Sequence, residues 1–75
     1  MKAYVFINAS AGKTLEVVGK VQKIEGVKSV NPCWGPPDTI AVVQVKNERT
    51  LNDLVLTRIQ RLPGVEQTDT HIVIE

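Results

Sequence analysis

The chain has 75 residues, 43% of them hydrophobic and 23% charged, and a formal net charge of +1. That length allows one domain. The pI near 7.9, with bases and acids interleaved, excludes the basic stripe and pI above about 9 expected of a small nucleic-acid binder. A single cysteine, Cys33, and a single histidine, His71, leave neither an intrachain disulfide nor a Cys/His metal site.

Met1-Lys2-Ala3-Tyr4 leads straight into a strand-like run, without the length or cleavage site of a signal peptide. No apolar run approaches the ~18 residues of a membrane span. A cytoplasmic chain is expected, with no membrane partner and no direct nucleic-acid contact. A domain this small buries only about 60% of the surface its unfolded chain exposes. With no disulfide or metal in view, self-association is the expected additional source of stability.

Ala3 to Ile7 is short, apolar and partly β-branched or aromatic, the pattern of a strand, and Asn8-Ala9-Ser10-Ala11-Gly12 breaks it. From Lys13 the period becomes helical, with Leu15, Val18, Val21 or Gln22, and Ile24 recurring between charges. Gly26 is the expected left-handed cap. Val27 to Trp34 reads as the second strand, Gly35-Pro36-Pro37-Asp38 as a turn, and Thr39 to Val45 as the third strand. Thr50-Leu51-Asn52-Asp53 resembles a capping box with Asp in place of Glu or Gln. Leu51, Leu54, Val55, Ile59 and Leu62 then form a helical stripe, Pro63-Gly64 stops it, and Val65 to Ile74 is the last strand.

The order is β-α-β-β-α-β, with an internal echo: Ile24-Glu25-Gly26-Val27 after the first helix and Leu62-Pro63-Gly64-Val65 after the second. Two such units with right-handed crossovers give an α+β, ferredoxin-like fold, a four-stranded antiparallel sheet with both helices on one face. Alternation puts Ala3, Val5 and Ile7 on one face and Tyr4, Phe6 and Asn8 on the other; Thr39, Ala41, Val43 and Val45 oppose Ile40, Val42 and Gln44. Both faces are largely apolar, and two helices cover only one. The other is expected to pack on a second copy about a two-fold axis, which makes a dimeric α+β barrel.

Constellations for catalysis are sparse. Ser10 and Ser29 have no neighbouring histidine motif, and His71 has no evident acid partner in sequence. Cys33, beside Trp34 in an apolar strand, reads as a buried, inert thiol. Gly12-Lys13-Thr14 ends like a P-loop, but the first glycine of that motif would fall at Ile7. The chain is expected not to be an enzyme. The informative stretch is Cys33-Trp34-Gly35-Pro36-Pro37-Asp38-Thr39: two prolines stiffen it, glycine permits close approach, and Asp38 offers a charge to an ammonium group. Thr68 and Thr70 share a face of the last strand and add hydroxyls. The plainer reading is a proline turn in which Asp38 bonds its own backbone.

Taken in order, Ala3-Tyr4-Val5-Phe6-Ile7, the two Gly-Val marks, the Gly35-x-x-Asp38 turn and the closing Thr68-x-Thr70-x-Ile72-Val73-Ile74 resemble the effector-binding (RAM) domain of the Lrp/AsnC transcriptional regulators. The resemblance spans residues 1–75 as a single domain. It implies a stand-alone form without the helix-turn-helix DNA-binding domain of full-length members. It implies a dimer with facing sheets, assembly of dimers into octamers or similar rings, and an amino-acid effector at the contact between dimers. Such a module modulates transcription through oligomerisation, by itself or by joining full-length relatives. No cofactor is implied. By position, the ligand residues fall on Gly35, Pro36, Pro37 and Asp38, with Trp34 shaping the side-chain pocket and Thr68 and Thr70 completing it. Pro36-Pro37 stands where the family commonly has an acidic or polar residue and then an aromatic, and it removes backbone donors from the loop. Two other readings are a small dimeric α+β-barrel enzyme (monooxygenase- or isomerase-like) using His71 and Tyr4, and an assembly subunit that needs no ligand.

Overall fold

A computed structural model describes residues 1–75. Four strands, β1 (Lys2–Ala9), β2 (Val27–Pro32), β3 (Thr39–Gln44) and β4 (Val65–Ile72), form one sheet in the order β2-β3-β1-β4. Every neighbouring pair is antiparallel. Helix α1 (Thr14–Val21) joins β1 to β2, and helix α2 (Glu48–Asp53) joins β3 to β4, running directly into a π-helical segment (Leu54–Ile59). This is the ferredoxin-like βαββαβ fold.

The alternation along β1 and β3 decides which face the helices cover. Ala3, Val5, Ile7, Thr39, Ala41 and Val43 are fully buried, and they meet Val17, Val21 and Ile24 from the first helix and its exit and Leu51, Leu54, Val55 and Ile59 from the second. The register aligns Val5 with Ala41 on one side and Thr70 on the other, so β1 is the centre of the core. The opposite face carries Tyr4, Phe6, Ile40 and Val42 in the middle, with Asn8, Gln44, Gln67, Asp69 and His71 around them. No helix of the chain lies over that face, and none is long and apolar enough to cross a membrane.

The internal echo has a structural meaning. Gly26 and Gly64 both adopt left-handed backbone, with φ of 100° and 95°. Each packs against the helix of the other half. A Cβ on Gly26 would meet Leu54 Cδ1 at 3.0 Å, and one on Gly64 would meet Lys13 Cβ at 3.1 Å and Val17 Cγ2 at 3.2 Å. The two Gly-Val marks are thus close approaches that lock the halves together at the turns into β2 and β4; Gly26 is not the expected helix cap, since α1 ends at Val21 with Gln22 as its C-cap and the π-helical segment ends at Ile59 with Gln60 as its C-cap.

Five further expectations need correction. β2 ends at Pro32, not Trp34, and β4 ends at Ile72, not Ile74. Pro32 has no N–H for a continuing ladder, and Cys33 N–H instead donates across the loop to Asp38 O at 2.9 Å. Cys33 is therefore exposed rather than buried, its Sγ 3.2 Å from the Pro37 carbonyl. In α1 the inward face is Val17 and Val21, while Leu15 is 74% exposed. The cap of α2 is Asn47, whose Oδ1 accepts from Thr50 N–H at 2.8 Å and from its hydroxyl. Thr50 is therefore inside the helix rather than at its cap.

Candidate functional site

The hairpin loop between β2 and β3 folds back towards the start of α1. Asp38 is the hinge of this corner. Its N–H donates to Ile7 O at 3.2 Å. Its Oδ1 accepts from Ala9 N–H at 3.0 Å, and its Oδ2 accepts from the Thr14 hydroxyl at 3.1 Å. The carboxylate thus ties the end of β1, the start of β3 and the first residue of α1. A negative charge there also complements the positive end of the helix dipole, where α1 has no side-chain cap of its own. The plainer expectation, that Asp38 bonds the backbone of its own turn, is not met: its carboxylate accepts from Ala9 N–H and the Thr14 hydroxyl instead.

Beside this brace lies a cavity of about 570 Å³, lined by Thr14, Leu15, Pro32, Cys33, Trp34, Gly35 and Asp38. That volume is within the usual range for small-molecule sites. Its only charged wall group is Asp38, both of whose oxygens already accept hydrogen bonds. The remaining wall is Leu15, Pro32, the Cys33 thiol and the Trp34 ring, with no cation. Trp34 is 99% exposed at the lip. The arrangement suits a small molecule with an apolar portion, held by backbone groups and the Thr14 hydroxyl, rather than a strongly anionic one.

Of the residues expected at the site, Trp34, Gly35 and Asp38 come together around this cavity. Pro36 and Pro37, joined by a cis peptide bond, belong to the same loop but do not line it. Thr68 and Thr70 lie on β4, opposite Ile7 and Val5, across β1 from Thr39. They are at the core side of the sheet, and neither lines the cavity of its own chain. Thr68 is engaged with the second helix, its Oγ1 accepting from Gln60 Nε2 at 2.7 Å. The π-helical turn, closed by Gln60 N–H to Val55 O at 2.9 Å, ends at that glutamine.

Thr14, Leu15 and Pro32 are wall residues that the motif reading missed. The signal for Thr14 was the helix start after Gly12-Lys13, which in sequence resembles only an incomplete phosphate loop. Leu15 carried a second one, as an apolar residue that the Val17–Val21 face does not require.

His71 does have an acid partner: its Nε2 is 3.1 Å from Asp69 Oδ2. Its ring lies against Phe6, with centroids 4.8 Å apart, and it faces Tyr4 across the ladder. All four sit on the uncovered face of the sheet. The fully buried residues between helices and sheet, where a barrel enzyme would need polar groups, are aliphatic apart from Thr39.

The family model of the Lrp/AsnC ligand binding domain matches residues 2–75. The HTH-type transcriptional regulator FL11 of Pyrococcus abyssi is 36% identical over 75 residues, covering 100% of this chain and 49% of its own length. The chain therefore spans about half the length of the curated relatives it matches. The crystal structure of TTHA0845 from Thermus thermophilus superposes with a TM-score of 0.94 at 28% identity, over 99% of this chain and 92% of that one. The transcriptional regulator NMB0573 from Neisseria meningitidis, solved as a complex with L-Met, has the same fold, with a TM-score of 0.87 at 18% identity over 99% of this chain and 49% of that one.

Proposed function

The chain belongs to the Lrp/AsnC ligand-binding domain family, a regulatory domain of transcriptional regulators rather than an enzyme, and from this we propose that it is an amino-acid-sensing module acting through its own assembly. Two copies pair through the uncovered sheet face, where Tyr4, Phe6, Ile40 and Val42 form an apolar centre within a polar ring. The effector, an amino acid, is held at the contact between such dimers by the Trp34–Asp38 loop. Thr68 and Thr70 complete the pocket from a neighbouring copy, since those of the same chain lie away from its cavity. Residues 1–75 act as one effector domain that makes no DNA contact of its own and reaches transcription through its own assembly or by joining full-length relatives that carry a helix-turn-helix domain. The protein works in the cytoplasm.

The observation that carries this reading is the open cavity of about 570 Å³ beside the Gly35-x-x-Asp38 loop, with ample room for an amino acid. Ligand shifts the oligomer population only by its differential affinity for the assembled states. Native mass spectrometry of the purified chain, with each of the twenty amino acids and L-Met first, tests it. An oligomer of dimers whose mass distribution responds to one or a few of them is the expected result. A mass distribution that no amino acid alters would refute the sensing role.

One observation favours a second reading, the ligand-independent assembly subunit. The Asp38 carboxylate is already occupied by Ala9 and Thr14, so the loop is a complete fold element without any effector. The same experiment separates the two, because this subunit assembles and stays indifferent to every amino acid.

A further inference from the structure

A second hollow, of about 220 Å³, lies at the other end of α1, between the exit of that helix and the start of the π-helical segment. Its floor is Ile24 and Leu54, both buried. Its walls carry Glu25, Asp53, Thr57 and Arg58, all exposed. None of these residues lines the cavity beside the Trp34–Asp38 loop. The ion pairs of the chain are Lys13–Glu16 and Asp69–His71. Glu25, Asp53 and Arg58 therefore bring charges of both signs to one small hollow, and none of the three has an ionic partner. We infer that this hollow binds a small zwitterion, with its carboxylate on Arg58, its ammonium between Glu25 and Asp53, and its alkyl part on Ile24 and Leu54.

The winding of the second helix brings these groups together. Asp53 is the last residue of α2, and Leu54–Ile59 is π-helical. In α winding, a residue five positions on is turned about 140° away. The i→i+5 bonding of a π turn instead carries that residue round to stand one turn above, so Arg58 comes to the side of Asp53. Gln60 N–H to Val55 O at 2.9 Å is one such bond. The Thr57 hydroxyl donates to the Asp53 carbonyl on the same side. π turns are rare and recur at functional sites. Glu25 arrives from the turn between α1 and β2, where a Cβ on Gly26 would meet Leu54 Cδ1 at 3.0 Å. Turn and helix thus touch at the floor, and that contact sets the spacing of the two charged walls. A simple anion would meet two acids here, and a simple cation would meet a guanidinium. A molecule carrying both charges matches both walls at once.

Amide-resolved NMR of the whole chain, titrated with L-alanine and with γ-aminobutyrate, tests the site and distinguishes α- from ω-amino acids. Saturable shifts at the Gly26, Asp53 and Arg58 amides are expected with at least one of the two. Acetate and methylammonium, which carry one charge each, should give none. Arg58→Gln and Glu25→Gln replace exposed charges with neutral groups of similar shape, so the fold should be retained, as circular dichroism can verify. Each is expected to weaken binding about tenfold, the loss of one charge-assisted hydrogen bond. No saturable shift at the hollow with either amino acid would overturn the inference. So would an equal response to acetate or methylammonium, or an Arg58→Gln chain that binds like the wild type. The effector reading fails separately. Shifts confined to the Trp34–Asp38 loop would remove this site and leave that reading standing, whereas shifts at the hollow in a chain whose assembly ignores every amino acid would do the reverse.

Discussion

Asp38 and Thr14, 24 residues apart in sequence, are joined by a hydrogen bond of 3.1 Å from the threonine hydroxyl to the carboxylate. With the second bond from Ala9 N–H at 3.0 Å, it makes the corner a fixed frame in the absence of any ligand. Hydrogen bonds to an ionised group contribute about 1.5–3 kcal/mol when buried, and less where the group is partly exposed as here. Asp38→Ala is expected to destabilise the fold by about 2 kcal/mol, a fall in Tm of roughly 10 °C for a domain of this size. Asp38→Asn keeps an oxygen acceptor and should lose about half as much. Thermal melts followed by circular dichroism check both, and an alanine variant melting with the wild type would show that the brace is idle. Asn is therefore the better substitution for testing effector response, because it disturbs the frame least.

Gly64 and Gly26 share nearly the same left-handed backbone but different neighbours. A Cβ on Gly64 meets Lys13 Cβ, fixed to its own backbone, at 3.1 Å; on Gly26 it meets the tip of Leu54 at 3.0 Å, which can rotate away. Both alanine variants bear the conformational strain of roughly 1 kcal/mol. Gly64→Ala adds overpacking of about 1–3 kcal/mol. Urea denaturation should rank Gly64→Ala clearly below Gly26→Ala in stability. Equal values would mean that backbone strain alone explains both glycines.

Thr39 is fully buried on the core side of β3, and its hydroxyl has no hydrogen-bond partner. Valine has nearly the same shape without the unsatisfied group. Thr39→Val is expected to raise stability by about 1 kcal/mol, measured as a higher urea midpoint with an unchanged m-value. A loss of stability would show that the hydroxyl has a partner in the assembled protein.

The strand alternation made the sheet legible in advance: Ala3, Val5 and Ile7 could face only one way, and the structure buries all three. The two Gly-Val marks located the turns into β2 and β4 for a local reason, the need for positive φ. The remaining differences come from contacts distant in sequence. Cys33 and Trp34 look like strand because they are apolar, yet the chain leaves the ladder at Pro32 and Cys33 bonds Asp38 instead. Val17 and Val18 are both helix-compatible core candidates, and only docking on the sheet selects Val17. The π-helical turn is invisible in a stripe of Leu51, Leu54, Val55 and Ile59 that also fits an α-helix. The site was half legible. Its loop was visible as a stiff Gly-Pro-Pro-Asp turn, while Thr14 and Leu15 arrive from another βα corner that no local pattern links to it.

Val42 lies on the uncovered sheet face, paired with Tyr4 across β1 and Ser29 across β2, and no residue of the core cluster depends on it. A lysine there places a charge in the middle of the apolar patch without emptying the core. In a sheet-to-sheet dimer the two-fold axis brings two such charges into one desolvated interface, and an unpaired buried charge costs several kcal/mol. Val42→Lys is therefore expected to weaken association by a factor of about a hundred or more, about 2.7 kcal/mol by the usual conversion. The circular dichroism of the folded chain should be retained. Analytical ultracentrifugation over a range of concentrations measures this directly. A Val42→Lys chain that remains assembled like the wild type would rule out the sheet face as the dimer contact and leave its apolar centre for a different partner.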